Sequence, residues 1–449
     1  MESCLVGMEA GLHTHLPILK IYAMYLGLTK TLQHTYTHTQ LLTRLTALCQ
    51  YTPTACIMVS NSTTASFDFM LAYGSADNVT ANTNCLTTVQ QFYTKHNNYI
   101  FGHFGYDIKN EIEKLTSANA NYQGFNNTHF FVPEVLIKIK NEHITFLHNN
   151  ITQVDGLIQQ LFSTDSCINN IATTPCNLHN TTTKENYIST VNAIKNHIQR
   201  GDIYITNYCI NYVSEHTIIN PYQKFITLNN ISNAPFATFY KHDTKYVLCA
   251  SPERYIQRTN NKLTSMPIKG TRKRGATPTE DAAIAEELRN NAKEQNENVM
   301  IVDLVRNDLS RVAMQGTVRV DELFKVHTFN AVHQLISTIL CEVAPTESLE
   351  RIVNATFPMG SMTGAPKISA MQLMEHFENF KRGIYSGTIG YVKPNGNFDF
   401  NVVIRSIIYN AATQVVSLPV GSAITSKCNA IDEYEECLLK AKVLLDIMN

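Results

Sequence analysis

The sequence has few charged residues and almost no net charge. Lysine, arginine, aspartate and glutamate together make up 16% of the 449 residues, and their formal sum is −1. Nucleic acids and acidic membranes are bound by concentrated basic charge. The composition therefore predicts neither a nucleic-acid partner nor a membrane partner, and it leaves electrostatic binding to local groups.

Paired-cysteine motifs are also absent, although the chain has eleven cysteines. None has the Cys-x-x-Cys spacing, and an odd number is inconsistent with a closed disulfide framework. A reducing, cytoplasmic location is the expectation. The apolar run at residues 16–28 contains Lys20 and is too short to span a bilayer. Residues 1–36 are therefore taken as an N-terminal extension without an assigned function.

Periodicity divides the remaining chain into three parts. Residues 37–164 alternate short apolar runs with turns, which is typical of a β-rich region, and the polar residues 165–184 predict a linker or loop. Residues 185–449 contain segments with helical periodicity and segments with strand-like periodicity. Helices are predicted at 185–200, 280–304, 349–357, 367–377 and 433–448, and strands at 246–250, 387–392 and 401–409. Periodicity alone indicates only a mixed α and β fold.

Two short segments have the residues of a nucleophile and an acid. Lys269 lies in PIKGT, between an apolar pair and a glycine, where a desolvated amine becomes a usable nucleophile. Glu253 follows a proline after a predicted strand, and a glutamate in a partly apolar pocket retains its proton near neutral pH. Taken alone, each segment is more typical of a solvated surface turn.

Two Glu-x-x-Glu pairs are the candidate metal ligands. Glu294 with Glu297, and Glu433 with Glu436, each lie on one face of a predicted helix. Mg²⁺ usually takes one or two protein carboxylates and keeps several waters, so two of the four are expected to bind it directly. A solvated helix face is the alternative interpretation.

A glycine-bounded loop precedes the predicted helix at 367–377. Residues 360–367 (GSMTGAPK) place free backbone N–H groups at a helix start, where an anionic group is bound favourably. The loop lacks the Gly-Lys-Ser/Thr ending of a Walker loop and is not a dinucleotide fingerprint. A purely structural turn is the alternative.

These segments occur in one chain, in a fixed order, with DLVRNDL at residues 303–309 between them. Together they resemble the chorismate-utilising enzyme family over residues 183–447. That family includes anthranilate, aminodeoxychorismate, isochorismate and salicylate synthases. The resemblance implies an α+β fold of the anthranilate synthase component I type, with two large, mainly antiparallel β-sheets packed together and helices outside.

The resemblance also indicates which branch of the family is nearest. Lys269 stands where anthranilate synthases usually have alanine, which favours the aminodeoxychorismate branch. Residues 201–207 (GDIYITN) contain no lysine, whereas isochorismate and salicylate synthases have a water-activating one there. An anthranilate synthase component remains the first alternative. A catalytically silent chorismate-binding paralogue is the second.

Carried over residue by residue, the resemblance implies a covalent mechanism on chorismate. Lys269 would attack ring C2, Glu253 would protonate the departing C4 hydroxyl, and His333 would complete the catalytic set. Mg²⁺ would be held by Glu297 and Glu436, with Glu294 and Glu433 acting through water. The implied substrate-binding residues are Tyr385, Arg405, Ser361, Thr363, Gly364, Lys367, Thr271, Gly421 and Lys440. A buried ion pair for Arg405 and a core-edge histidine for His333 are the alternatives.

Some positions differ from the family pattern, and one function is missing from the chain. Ile205 replaces a common glutamine, Ser422 and Ala423 replace small residues, and Asn298 replaces a frequent histidine. No cysteine lies in the Gly-x-Cys-x-Gly context of a glutaminase. A separate glutamine amidotransferase subunit is therefore the expected source of ammonia.

Overall fold

Antiparallel strands make up most of the regular structure. The computed structural model describes residues 28–61, 65–148, 150–163, 167–329 and 332–449. Residues 1–27, with nearly all of the apolar run considered above, lie outside the described residues. The strands are β1 Leu28–Gln33, β2 Thr54–Val59, β3 Phe69–Tyr73, β4 Asp77–Ala81, β5 Ile100–Phe104, β6 Thr128–Val132, β7 Val135–Lys140, β8 His143–His148, β9 His179–Asn180, β10 Ile205–Ser214, β11 Phe236–His242, β12 Lys245–Ser251, β13 Arg254–Thr259, β14 Lys262–Met266, β15 Ile268–Lys273, β16 Arg319–Thr328, β17 Val332–Glu342, β18 Gly364–Ala365, β19 Thr388–Val392, β20 Phe398–Asn401, β21 Ser406–Asn410 and β22 Val415–Thr425.

The strands form two sheets. In sheet 1 the order is β1-β8-β7-β3-β2-β11-β12-β21-β22-β10-β18, with β9 paired to β10. In sheet 2 the order is β15-β17-β14-β13-β20-β19-β5-β6-β4, with β16 paired to β17. Both sheets thus contain strands from before and after the polar residues 165–184. The predicted N-terminal and C-terminal regions are therefore joined by strand pairing within both sheets. Residues 167–178 connect the two regions without regular secondary structure.

The helices are α1 His38–Leu48, α2 Cys85–His96, α3 Lys109–Ile112, α4 Ile151–Phe162, α5 Lys184–Arg200, α6 Pro221–Ser232, α7 Pro278–Asn290, α8 Ala292–Ser310, α9 Leu349–Thr356, α10 Lys367–Phe377 and α11 Ala430–Met448. The helix expected at 185–200 is confirmed as α5, which ends at Gly201 with φ 85°. The helix expected at 280–304 is wrong as a single element. The chain breaks at Asn291, whose side chain caps the amide of Glu294 and starts α8.

Strand burial explains how the layers pack. Strand β2 is buried along its whole length. Cys56 and Met58 enter a core between the two sheets, whereas Ile57 and Val59 enter a second core beneath the helices. A strand with two covered faces must be apolar at every position, not only at alternate ones. Helix α5 covers the second core with Tyr187 and Ile194.

The chain crosses between the sheets at two adjacent places. Residues 252–253 connect β12 of sheet 1 to β13 of sheet 2, and residues 402–405 connect β20 of sheet 2 to β21 of sheet 1. The single strand expected at 401–409 is therefore wrong, because Arg405 has φ 53° and turns the chain out of the extended conformation. No helix among the described residues is both long and apolar enough to cross a membrane.

Candidate functional site

Glu253 lies on the first crossover, enclosed between the sheets. The residue is only 5% exposed to solvent. Its backbone amide donates a hydrogen bond to Ser251 Oγ, which holds the turn after β12. Burial raises the pKa of Glu253 to about 7, while the Ser361 hydroxyl and the Lys269 ammonium oppose that rise. At neutral pH this carboxyl is therefore partly protonated, as a general acid must be.

Lys269 projects from an irregularity in β15. Ile268 pairs with Ile336 and Thr271 pairs with Gln334, so two residues of β15 oppose one residue of β17. Such a β-bulge redirects the side chain it contains. Gly270, the second bulge residue, has φ 84°, and a Cβ there would lie 3.1 Å from the carboxyl group of Glu294. Only glycine allows this approach of β15 to α8 without strain.

Arg405 and Tyr385 lie beside the second crossover. Burial lowers the pKa of the Arg405 guanidinium, and Tyr385 and Glu436 are near enough to oppose this. Within the described residues no side chain or carbonyl accepts a hydrogen bond from that guanidinium, and no carboxylate pairs with it. The buried ion pair considered as an alternative for Arg405 is thus not formed. Burial raises the pKa of Tyr385 well above its ordinary value, so its hydroxyl remains a donor.

Two predicted anion-loop residues have structural partners. Thr363 Oγ1 donates to the carbonyl oxygen of Met359, and its own carbonyl accepts from the amide of Asn207. Gly364 lies against β10, where a Cβ would be 2.2 Å from the carbonyl oxygen of Ile205. Within this loop, it is Ser361 that the structure brings to Glu253.

Lys367 does not join that group. Its ammonium binds Asp308 at 2.6 Å and the carbonyl oxygens of Thr356 and Pro358, in a part of the chain where its side chain is only 10% exposed. All three of its protons therefore have protein acceptors. In this structure its contacts hold the start of α10, and the expectation that it binds substrate stays a prediction.

The four predicted metal-site glutamates extend from two helices. Glu294 and Glu297 lie on α8, and Glu433 and Glu436 lie on α11. Burial raises the pKa of Glu297 to about 7, against the effects of Lys269 and Lys293. Glu297 Oε1 is buried and lacks a hydrogen-bond partner among the described residues. Such an oxygen suits a hard cation, so these residues fit Mg²⁺.

The cations around these glutamates are lysines and one arginine. Lys440 Nζ binds Glu436 at 2.6 Å and the carbonyl oxygen of Gly421 at 2.8 Å. Although burial opposes it, Lys440 holds the pKa of Glu436 below its ordinary value. Arg272 contacts Glu294 at 3.3 Å. In the described chain no three histidine, cysteine or acidic side chains converge closely enough to hold an ion in the present conformation.

Lys293 is a residue that the sequence did not single out. Its Nζ lies 2.9 Å from Glu433 Oε1 and 4.0 Å from Glu297 Oε1. Although burial opposes it, the hydrogen bond to Glu433 raises the pKa of Lys293. The four-residue spacing of Lys293 and Glu297 on α8 could have predicted their contact from the sequence. No local pattern could have predicted the contact of Lys293 with Glu433 on α11.

His333 and Thr271 belong to the neighbouring strands β17 and β15 of sheet 2. His333 Nε2 contacts Asp281 at 2.8 Å and its Nδ1 contacts Thr328 at 2.9 Å. Both ring nitrogens therefore have protein partners, on α7 and β16, as the core-edge alternative expects, and the assignment of His333 to the catalytic set stays a prediction. Thr271 has an exposed side chain on β15. It pairs with Gln334 of β17, and its role in substrate binding stays a prediction.

The positions that differ from the family pattern have local explanations. Ser422 Oγ shares a hydrogen bond with the buried Tyr187 hydroxyl at 2.8 Å. Asn298 Oδ1 accepts from Ser337 Oγ at 2.6 Å. Ile205 is buried where β10 pairs with β18. These differences fill the interior and remove none of the groups around Glu253.

The fold is that of the chorismate-utilising synthases. The structure superposes on anthranilate synthase component I from Streptococcus pneumoniae with a TM-score of 0.69, at 21% identity, covering 99% of this chain and 95% of that one. The predicted α+β architecture with two packed antiparallel sheets is confirmed.

The sequence matches the chorismate binding enzyme family over residues 51–446, and the chain belongs to that family. It is 32% identical to an anthranilate synthase component I-like protein of Synechocystis sp., over 77% of this chain and 71% of that protein. It is 39% identical to aminodeoxychorismate synthase of Streptomyces griseus over 59% of this chain. It is 36% identical to aminodeoxychorismate synthase component 1 of Escherichia coli, also over 59% of this chain. The match spans 36% of the Streptomyces protein and 57% of the Escherichia coli protein.

Proposed function

We propose that this chain is the synthase component that converts chorismate and ammonia to 4-amino-4-deoxychorismate. The observation that carries the proposal is the group formed by Lys269, the buried Glu253 and the Arg405 guanidinium, which has no hydrogen-bond or ion-pair partner among the described residues. It combines a nucleophile in the bulge of β15 with an acid and a carboxylate receptor at the two crossovers. The similarity to proteins named aminodeoxychorismate synthase supports the same assignment.

The proposed reaction begins when the Lys269 ammonium releases a proton to water and the resulting amine forms a bond to ring C2. The electrons of the ring diene shift towards C4, and the C4–O bond breaks as Glu253 gives its proton to the leaving hydroxyl. Water departs, and the ring remains joined to Lys269. Ammonia then adds at C4, the diene shifts back, and the bond between C2 and Lys269 breaks with its electrons returning to the lysine nitrogen. The new C4 ammonium gives a proton back to Glu253, which restores the acid. A covalent adduct divides one difficult substitution into two easier steps.

Arg405 and Tyr385 are proposed to hold the enolpyruvyl carboxylate. A guanidinium meets a carboxylate with two parallel hydrogen bonds, and the Tyr385 hydroxyl supplies a third donor. Ser361 would keep Glu253 oriented towards the C4 hydroxyl. These contacts would fix the ring so that C2 faces Lys269 and C4 faces Glu253.

Mg²⁺ is proposed to bind Glu297 and Glu436, with Glu294 and Glu433 orienting its waters. When bound, the ion would supply positive charge to the ring carboxylate. Ammonia is proposed to come from a separate glutamine amidotransferase subunit, consistent with the name of the component 1 relative. We infer a cytoplasmic location, because the ten cysteines in the described chain are all free thiols.

The test is an incubation of purified protein with chorismate, Mg²⁺ and ammonium at mildly alkaline pH, with products separated by chromatography and identified by mass. The expected product is 4-amino-4-deoxychorismate without pyruvate release. Anthranilate together with pyruvate would instead identify an anthranilate synthase, to which the Synechocystis relative points. No product, even with a glutaminase subunit and glutamine, would indicate a silent paralogue.

A further inference from the structure

A lysine lies between the two helices that supply the proposed metal ligands. Lys293 Nζ approaches carboxylates from both helices, at 2.9 Å from Glu433 Oε1 and 4.0 Å from Glu297 Oε1. Helix α8 supplies the lysine and one glutamate, and α11 supplies the other glutamate. An ammonium group at this point fills the position that a cation shared by α8 and α11 would take.

Buried carboxylates require such a charge. Glu433 is 2% exposed and Glu297 is 7% exposed. Two carboxylates held close together and away from water repel each other and lose their hydration. Lys293 offsets both effects, although it leaves Glu297 Oε1 without a hydrogen bond. The lysine thus offsets the negative charge of the two glutamates but does not hydrogen-bond both of them.

Lys293 is held much more loosely than the second lysine at the site. The Lys440 side chain is 26% exposed, and it is fixed by two acceptors, one of them the carbonyl oxygen of Gly421. The Lys293 side chain is 52% exposed, and its hydrogen-bond acceptor in the described structure is Glu433. A long, half-exposed side chain can rotate into solvent without leaving a cavity.

We propose that Lys293 is a built-in counter-cation that occupies the Mg²⁺ position and withdraws when the ion binds. The inference rests on the metal assignment of the proposed function. In the metal-free protein the lysine keeps α8 and α11 together. During metal binding it competes for the same carboxylates, so the apparent dissociation constant equals the intrinsic constant divided by the fraction of protein in which the lysine has left the site.

Replacing the lysine by an uncharged side chain of similar length tests this directly. Lys293→Met should bind Mg²⁺ about tenfold more tightly in calorimetric titrations of the full chain, because a charge-assisted hydrogen bond is lost only from the metal-free state. The melting temperature without Mg²⁺ should fall, and the rise on adding Mg²⁺ should exceed that of the wild type. Glu297→Gln should abolish the calorimetric signal in both backgrounds, which locates the ion.

Lys184→Met is the matched control. Lys184 forms an ion pair with Glu435 of α11 at the same 2.9 Å, but outside the cluster. This variant should bind Mg²⁺ like the wild type. Unchanged or weaker Mg²⁺ binding by Lys293→Met would overturn the proposal, and so would a site that binds no Mg²⁺ in either protein. Chorismate turnover is measured separately, so tighter binding without an aminated product would refute the proposed function alone.

Discussion

The backbone amide of Ala250 donates a hydrogen bond of 3.1 Å to the carbonyl oxygen of Arg405. The amide of Val402 donates in turn to the carbonyl oxygen of Glu253 at 3.0 Å. The two crossovers are thus joined by main-chain bonds. The separation of Glu253, the proposed acid, from Arg405, the proposed receptor of the substrate carboxylate, is therefore fixed by the backbone and does not depend on side-chain rotamers.

Lys269→Ala should lower the rate of 4-amino-4-deoxychorismate formation by at least about a thousandfold, because the covalent route is lost. Intact-protein mass spectrometry should detect a chorismate-derived adduct on the wild type when ammonia is withheld, and none on the variant. Lys273→Ala, on the same strand, is the control and should retain both. A variant at residue 269 with near-normal turnover would rule out the nucleophile.

Glu253→Gln should stabilise the protein at alkaline pH. Because the folded-state pKa of Glu253 is raised from 4.5 to about 7, the ionised carboxyl destabilises the fold as pH rises through this window. Removing the charge should increase the free energy of unfolding by up to about 3 kcal/mol at pH 8 relative to pH 4. Urea unfolding at both pH values measures this. Glu142→Gln, on the surface, should show no such difference.

Arg405→Met should weaken chorismate binding by roughly a hundredfold, since two charge-assisted hydrogen bonds are lost. Its folding stability should not fall, because the guanidinium has no acceptor in the described chain and its burial disfavours the charge. Arg382→Met is the contrasting variant. Arg382 pairs with the buried Glu378 at 2.6 Å, and its loss should cost about 3–5 kcal/mol. KM measurements and denaturant unfolding of both variants separate binding from stability, and a strongly destabilised Arg405→Met would contradict the assignment.

The fold should lose stability in acid through a buried imidazole. Burial lowers the pKa of His103 to about 3, and this ring contacts the Tyr240 hydroxyl at 3.1 Å. The unfolded chain takes up a proton there below pH 6.5 and the folded chain does not, so stability falls as pH decreases from 6.5 towards 3. His103→Asn should reduce that slope by about 1.4 kcal/mol per pH unit between pH 4 and 6. His216→Asn, at an exposed turn, should leave the slope unchanged.

The sequence predicted features that depend on local patterns. The spacing of Glu294 with Glu297, and of Glu433 with Glu436, placed each pair on one helix face, and the structure has both helices. Helix α10 begins and ends at the residues predicted for it, Lys367 and Phe377. Periodicity and capping are read over a few neighbouring residues, which is why these elements were accessible.

Features that depend on tertiary contacts were not predicted. The turn at Arg405 interrupts an apolar run, and no glycine or proline marks it. The role of Lys293 arises where α8 meets α11, far away in the sequence. Lys367 and His333 were assigned to the substrate and catalytic sets by motif position, whereas Asp308 and Asp281 bind them in the folded chain. A motif identifies a segment, but the partner of each side chain depends on the fold.

The pairing of β5 with β19 has a consequence for biosynthesis. Residues 100–104 form one side of a ladder whose other side is residues 388–392. At ~5–20 residues per second, the ribosome leaves this apolar strand edge without its partner for on the order of half a minute. Unpaired edges of this kind template aggregation. The nascent chain is therefore expected to depend on chaperones until the later strands emerge.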